Sequence, residues 1–225
     1  MTVKIHTLRF DINRCYIIES AGTIMIDGGP PNKKDEFVKQ LNNLNIDPKS
    51  IQLIVLTHGD FDHIGSAMDF KAITGAKVAI HRNDKINLEN GVMNWAPGVT
   101  AWGKVSRFLF KPVLAGTTIP AFKPDIILND EDFPLNDFGI EGQIVFTPGH
   151  SPGHVSVLLE NGDCFAGCMA HNIRLFTRKP DFPIYAFDIE QLKNSWKKLL
   201  KFGADTIYPG HGNPFSADII KNKVQ

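Results

Sequence analysis

Short apolar runs alternate with turn residues near the start of the chain and predict β structure. The runs are rich in β-branched residues and are separated by Asn, Ala-Gly or Gly-Gly. Three strands of this kind are predicted, at VKIHTLRF (3–10), NRCYIIES (13–20) and TIMIDGG (23–29). A different period follows, because Phe37, Val38, Leu41 and Leu44 recur at helical spacing and predict a helix over 33–45.

The middle of the chain continues the mixed pattern and then interrupts it. A fully apolar strand, IQLIVLTH (51–58), precedes a predicted helix through 67–73 and a strand at 76–81. Residues 91–123 break the alternation with several prolines, glycines and aromatic residues. Strands resume at DIILND (125–130), GIEGQIVFTPG (139–149) and HVSVLLENGDCFAGC (154–168).

The last strong helix is predicted from Asp188, as its N-cap, to about Phe202, and it ends at Gly203. Gln191 stands at the third helical position, which is typical of a capping box. Strands in both halves with helices between them, and no repeat, favour two packed sheets with helices outside. We expect one domain over 1–225, with an aromatic-rich insertion at about 91–123.

The composition is that of a globular protein, with 43% hydrophobic and 21% charged residues among 225. Basic and acidic residues number 24 each, so net charge favours neither nucleic acid nor an anionic membrane as a partner, although a local basic patch stays open. No apolar run is long enough to span a bilayer, and the first residues lack a signal-peptide pattern. Three sparse cysteines favour a reducing compartment, and we therefore expect a cytoplasmic protein.

The stretch LTHGDFDHIG (56–65) concentrates metal-binding side chains directly after an apolar strand. In an extended segment, residues at i, i+2 and i+4 point the same way. His58, Asp60 and Asp62 are therefore expected to converge, while His63 turns to a second point.

Two later strands also lead into a histidine, each within a Pro-Gly-His turn. These histidines are His150 in TPGHSPGH and His211 in YPGHG. Five of the eight histidines lie in the three strand-end turns, at 58, 63, 150, 154 and 211. Core packing does not explain three strand ends with nitrogen and oxygen ligands, so the pattern predicts a metal site.

Residues 57–63 resemble the Thr-His-x-His-x-Asp-His motif of the metallo-β-lactamase superfold, and IDGG (26–29) and TPGHSPGH (147–154) extend the resemblance over nearly the whole chain. The resemblance implies an α/β fold, a four-layer αββα sandwich with a metal site at one edge between the sheets. It implies that a first ion is held by His58, position 60 and His150, and a second by Asp62, His63 and His211. A carboxylate after a later strand usually bridges the two ions in this family.

Two positions depart from the family pattern. Asp60 stands where the second motif histidine belongs, so the first ion would take His58, Asp60 and His150. Cys168 falls where the bridging aspartate belongs, whereas Asp163, in an earlier Gly-Asp pair, is predicted to be a hairpin residue. A cysteine here resembles one subclass of zinc β-lactamases, in which it binds the second ion without bridging. The alternative is that Cys168 is a buried small hydrophobe.

The two departures bear on the metal chemistry. The ligand set suits one or two Zn²⁺ ions, and Fe(II) or Mn²⁺ are alternatives. With Asp60, Asp62 and Cys168, the site carries three anionic ligands instead of two aspartates. More ligand charge weakens the pull of an ion on its water, so the water is expected to ionise above the usual pKa of about 7.

Several other residues are candidates whose role the sequence leaves open. His154 and Asp27 either support the site from behind or form turns, and His171 is a bridging substitute, a substrate contact or a plain loop histidine. Tyr185 and Tyr208 are candidate oxyanion donors. The insertion is either a lid that gives the site an apolar wall or an interface, as in a homodimer. Its aromatic residues are Trp95, Trp102, Phe108, Phe110 and Phe122.

The leading hypothesis is a metal-dependent hydrolase in which activated water attacks an ester-like small-molecule substrate, such as a lactone or thioester. Asp62 is predicted to be both a ligand and the general base or proton relay. One alternative is an iron-dependent oxidoreductase of the same fold, although the flavodiiron branch has Glu where Asp60 stands. A nuclease branch is disfavoured by the balanced charge. A further alternative is a non-catalytic binding protein with a degenerate metal site.

Overall fold

The computed structural model describes residues 2–93, 95–114, 117–177 and 179–224. Within these ranges the chain forms twelve strands and seven α-helices. The strands are β1 Lys4–Phe10, β2 Asn13–Glu19, β3 Thr23–Ile26, β4 Ile51–Val55, β5 Lys77–His81, β6 Ile126–Leu128, β7 Phe133–Pro134, β8 Gly142–Phe146, β9 Val155–Leu159, β10 Asp163–Asn172, β11 Thr206–Gly212 and β12 Phe215–Ser216. The helices are α1 Lys34–Leu44, α2 Phe61–Ile64, α3 Ala67–Thr74, α4 Lys85–Asn90, α5 Ala101–Leu114, α6 Ile189–Lys201 and α7 Asp218–Val224.

The strands form two half-sheets that meet along one seam. Their order is β6-β5-β4-β3-β2-β11-β10-β9-β8-β7, with β1 beside β2 and β12 beside β11. The first half-sheet (β1–β6) therefore contains the early strands, and the second (β7–β12) the late ones. At the seam, Asn13 of β2 pairs with His211 of β11. The neighbours β3, β4, β5 and β6 run parallel, so their carboxyl ends share one edge.

Three apolar clusters fill the spaces between four layers. One packs α1 and α3 against the first half-sheet and includes Phe37 and Phe70. A second joins the inner faces of the two half-sheets, with Ile26 on one side and Val157 on the other. The third packs α6 and α7 on the second half-sheet around the fully buried Trp196. The predicted αββα sandwich is confirmed, because each half-sheet buries both of its faces.

The three predicted long helices are confirmed as α1, α3 and α6, each with ends within one residue of the prediction. Asp188 caps α6 as expected, since its Oδ1 accepts from the Gln191 N–H at 2.9 Å. The reciprocal half of the predicted capping box is replaced: the Asp188 N–H donates to the Gly149 carbonyl at 2.9 Å. The start of α6 is thereby tied to the turn that carries His150.

The insertion at 91–123 contains a helix, α5, that the sequence pattern did not predict. Its outer face is apolar yet exposed, with Trp102 at 43%, Val105 at 52% and Phe108 at 79% exposure. Its buried positions are Gly103 and Ser106, so the apolar side of this helix faces outward, the reverse of the usual surface helix. At the other end of the insertion, Phe122 packs on the cluster beneath α1 and α3.

Replacing the side chain of Asp188 tests its role as the cap of α6. Asp188→Ala is expected to lower the free energy of unfolding by about 1 kcal/mol, because the amides of the first turn lose their acceptor. Urea denaturation measures the change. Asp188→Asn is the control, since asparagine caps about as well as aspartate; an equal loss in both variants would contradict the capping role.

Candidate metal centre

All seven predicted ligands lie together at the seam, beyond the carboxyl end of β4. The loop after β4 carries two of them, α2 carries two more, and the turn after β8, strand β10 and strand β11 carry one each. In that order they are His58, Asp60, Asp62, His63, His150, Cys168 and His211.

The first group of ligand atoms comes from His58, Asp60 and His150. Oδ2 of Asp60 lies 3.5 Å from Nε2 of His58 and 3.3 Å from Nε2 of His150. The two imidazole rings are perpendicular, with centroids 4.6 Å apart. Two imidazole nitrogens and one carboxylate oxygen that converge in this way fit a divalent ion.

The second group comes from Asp62, His63 and His211. Nε2 of His63 lies 3.4 Å from Nε2 of His211, and Oδ2 of Asp62 lies 3.4 Å from the same His211 atom. Asn13 donates to Oδ2 of Asp62 at 2.9 Å and so fixes that carboxylate. Burial alone would raise the pKa of Asp62, but the His63 and His211 imidazoles and the Asn13 hydrogen bond hold it below its ordinary value.

Cys168 lies between the two groups. Its Sγ is 3.2 Å from Nε2 of His63. Together with His58 and His150, and again with His63 and His211, it forms a set whose ligand atoms all lie within 4.8 Å of one another. Burial raises the pKa of this thiol to about 12, although His63 opposes the shift. The thiol is close enough to serve as a ligand in either group, and its role as a ligand stays a prediction.

Asp27 orients two of the rings from behind. Its Oδ2 accepts from Nδ1 of His63 at 2.7 Å, and its Oδ1 accepts from the Thr57 N–H and Oγ1, each at 2.8 Å. Because the Thr57 hydroxyl donates to Asp27, it accepts from Nδ1 of His58 at 2.9 Å. Both rings therefore present Nε2 to the centre. Asp27 also adopts a left-handed φ of 65°, so its two sequence interpretations, support and turn, both hold.

The imidazoles of His58 and His211 are in the state that binds metal. Burial is the main reason that the pKa values of His58 and His211 lie below the ordinary range, so both rings are neutral. Burial would lower the pKa of His63, but Cys168, Asp27 and Asp62 raise it well above its ordinary value, so a metal bound there would displace a proton from that ring. Nδ1 of His150 donates to the Tyr185 carbonyl at 2.9 Å, which again turns Nε2 inward. Nε2 of His58 is buried without a hydrogen-bond partner among the described residues, a cost that an ion would remove. The donor set therefore fits a divalent metal.

Glycine is required in both Pro-Gly-His turns. A Cβ on Gly210 would lie 2.6 Å from Cε1 of His63, so only glycine admits that ring beside β11. Gly149 has a φ of 138°, and a Cβ there would lie 2.4 Å from the Leu192 amide nitrogen. These turns bring the histidines close to the centre, and the position before each histidine has no room for a side chain.

Asp84 connects the two loops of the first group, and the sequence pattern did not single it out. Its Oδ2 accepts from the Gly59 N–H at 3.0 Å and the Ser151 hydroxyl at 2.6 Å, and its Oδ1 accepts from the Gly153 N–H at 2.9 Å. Burial raises the pKa of Asp84, and these three hydrogen bonds oppose the rise. A lone Asp before α4 carries no local sign that it joins loops distant in sequence.

The remaining candidates lie at different distances from the centre. The His154 ring packs behind His58 with centroids 5.2 Å apart, and the His171 ring stands 5.0 Å from that of His211. Tyr208 is stacked on Phe165 at 4.7 Å within the sandwich, which removes it as an oxyanion donor.

A cavity of about 240 Å³ opens over the two groups. Its floor includes Asp60, Asp62, His150, Cys168 and His211. Its wall is mostly apolar and includes Met93, Trp95, Phe110, Leu175 and Phe176. Tyr185 also lines it, but the Tyr185 hydroxyl is hydrogen-bonded to Ser106 of α5 at 2.6 Å. Part of the insertion thus covers the centre, while Trp102 and Phe108 lie outside this cavity.

Comparison with protein families adds an independent finding: the model of the metallo-β-lactamase superfamily matches residues 8–211. The chain belongs to the metallo-β-lactamase superfamily. It is a metallo-hydrolase of that superfamily, and its clustered ligands are in the place expected for divalent metal binding.

Curated relatives of this chain include metallo-hydrolases from bacteria and archaea. A probable metallo-hydrolase of Methanocaldococcus jannaschii is 28% identical over 220 residues, covering 94% of this chain and 93% of the relative. Hydroxyacylglutathione hydrolase GloC of Haemophilus influenzae is 27% identical, over an alignment that covers 82% of this chain and 78% of the relative. The chain spans 62% of the probable metallo-hydrolase YqgX of Bacillus subtilis, at 28% identity over 67% of this chain.

Solved structures share the fold at lower identity. The B3 metallo-β-lactamase BLEG-1 superposes with a TM-score of 0.69 at 22% identity, covering 96% of this chain and 95% of that structure. A metallo-β-lactamase family protein from Thermus thermophilus gives 0.68 at 18% identity, covering 99% and 76%. Among the described residues, no helix combines the length and the apolar character needed to cross a bilayer.

Loss of the Asp84 carboxylate is expected to loosen the centre without touching a ligand. Asp84→Ala leaves three donors without their acceptor, and we expect zinc affinity to fall about 10- to 100-fold. Competition with a chromophoric chelator measures the affinity. Asp132→Ala, which removes a carboxylate paired with Lys198, is the control and should bind zinc normally; unchanged affinity in Asp84→Ala would rule out the positioning role.

Proposed function

We propose that the protein is a zinc-dependent hydrolase of an ester-like carbonyl, in a lactone or thioester. The observation that carries this proposal is the pair of ligand groups that form the floor of a cavity with an apolar wall. The name of the Haemophilus influenzae relative, a hydroxyacylglutathione hydrolase, supports the ester-like class.

The ligands fall into two sets for one or two ions. His58, Asp60 and His150 would hold the first, and Asp62, His63 and His211 the second, with Cys168 available to either. Divalent zinc bound there supplies Lewis-acid polarisation of the carbonyl and a lowered pKa of water. The protein contributes fixed ring orientations, through Asp27 and the Tyr185 carbonyl.

Asp62 is the proposed proton acceptor. Its carboxylate faces the cavity, and the Asn13 amide holds Oδ2 at 2.9 Å in one orientation. The lowered pKa keeps this group ionised near neutral pH, as an acceptor must be before the reaction. Because Oδ2 faces the His211 imidazole and the Asn13 amide, Oδ1 of Asp62 is the oxygen that would accept the proton of the attacking water and pass it to the leaving oxygen or sulfur.

In our proposal, the apolar wall favours a small-molecule substrate over nucleic acid. Cys15, Cys164 and Cys168 are free, buried thiols, which supports our proposal of a reducing, cytoplasmic location. Metal analysis of protein purified without added metal separates the enzyme classes: zinc supports the hydrolase, and iron favours the oxidoreductase of the same fold.

Hydrolysis is tested with zinc- and manganese-loaded protein on a panel of ester, lactone, thioester, β-lactam and phosphodiester substrates. We expect turnover of the lactone or thioester, and Asp62→Asn should lower kcat about 100- to 10,000-fold because it removes the proton acceptor. Metal content of the variant is measured in parallel. Turnover no greater than that of Asp62→Asn on every substrate would refute the proposal and favour a binding protein.

The anionic ligand set predicts an alkaline pH dependence. Asp60→His replaces one negative ligand with a neutral one, so water at the centre should ionise at lower pH. We expect the half-maximal pH of kcat to fall in Asp60→His relative to the native protein. Rate profiles between about pH 5 and 10 measure it, and an unchanged or higher half-maximal pH would argue against Asp60 as a ligand.

A further inference from the structure

The cavity wall is held rigidly by contacts outside the ligand set. The Arg107 guanidinium lies 5.5 Å over the Trp95 ring and donates to the Trp95 and Ala96 carbonyls at 3.2 and 3.1 Å. Trp95 also meets the Tyr185 ring edge-on at 5.2 Å, and the Tyr185 hydroxyl is bonded to Ser106. Arg107 of α5 contacts the ring and the carbonyl of Trp95, and Tyr185 connects the same ring to Ser106 of α5. Trp95 therefore has a fixed position in the wall and limits the size of the ligand.

The size and polarity of the cavity restrict its ligand. The cavity has a volume of about 240 Å³, which is room for a small-molecule group beside the ligands. Its described lining contains no lysine or arginine. An ionised group against Trp95 would find no basic side chain in the described lining as a partner. The part of the ligand along this wall is therefore small, apolar and uncharged.

One polar side chain interrupts the apolar wall. His171 lines the cavity, is 2% exposed, and has no hydrogen-bond partner for either ring nitrogen among the described residues. Its backbone is fixed by two hydrogen bonds with Asp181, at 2.9 and 3.1 Å. A buried, neutral imidazole offers one donor and one acceptor. Neither nitrogen belongs to the two ligand groups.

We propose that Trp95 and His171 form a recognition subsite for a small uncharged ester or lactone, whose apolar chain lies against Trp95 and whose polar group hydrogen-bonds to His171. The ester group in this assignment rests on the proposed function. The apolar and uncharged character of the ligand rests on the cavity lining alone. Trp95 sets the limit on chain length, and His171 satisfies its own hydrogen bond only when the ligand is bound.

Binding of non-hydrolysable lactams tests the subsite without turnover. We use 5-alkyl-2-pyrrolidinones of increasing chain length with zinc-loaded protein and measure dissociation constants by titration calorimetry. Affinity should rise about fourfold per methylene while the chain fits, and then stop rising once the cavity is full. A matching lactam with a terminal carboxylate should bind more weakly than its uncharged counterpart.

Variants separate the two roles. Trp95→Ala should move the chain-length limit upward by several carbons, whereas Phe108→Ala, on the exposed face of α5, should leave it unchanged. His171→Phe keeps a ring of similar shape and should weaken every uncharged lactam about tenfold, with the length limit and zinc content unchanged. His171→Gln, which retains a donor and an acceptor, should restore part of the affinity.

Each outcome supports or overturns the subsite. Loss of zinc from His171→Phe would make His171 a ligand, and tighter binding of the charged lactam than of its uncharged counterpart would show that the wall accepts a charged group; either result overturns the proposal. So would an unchanged length limit in Trp95→Ala. If lactams bind as expected while the hydrolysis panel fails, the proposed function fails and the subsite stands. If charged esters are hydrolysed and lactams do not bind, the reverse holds.

Discussion

The buried carboxylate of Asp27 is the interaction on which the metal centre depends. It follows β3, and it accepts hydrogen bonds from the backbone and hydroxyl of Thr57 and from Nδ1 of His63. Through Thr57 it orients His58 of the first group, and directly it orients His63 of the second. One side chain therefore sets the tautomers of rings in both groups. The left-handed backbone of Asp27 is tolerated because these bonds determine its conformation.

Buried hydrogen-bond acceptors also position the ligands on the other side of the centre. Asp84 joins the loop after β4 to the turn that carries His150, and the α6 N-terminus holds that turn through Gly149. The ligands contact one another, at 3.2 Å between Cys168 and His63 and at 3.4 Å between Asp62 and His211. Their placement is also fixed by carboxylates and glycines behind them, which accounts for the glycine before His150 and before His211.

Local patterns predicted the layers and most of the ligands, because periodicity and strand-end turns are encoded by neighbours in sequence. Three features required the fold. Asp84 acts on residues 25 and 69 positions away, so no local pattern marks it. Cys168 lies where β10 shifts register against β11, between Gly167 and His171, and such irregularities re-aim side chains. The helix α5 was missed because its apolar residues face outward while its buried positions are Gly103 and Ser106, the reverse of the usual pattern.

The seam between the half-sheets has a thermodynamic consequence. Asn13 pairs with His211 across it and also holds Asp62, so the ligand groups draw residues from both halves of the sandwich. An ion bound there acts as a cross-link between the halves, comparable to a covalent staple. By mass action, the free-metal concentration then sets part of the folding stability. Metal binding at the centre would therefore stabilise the fold as well as supply the chemistry.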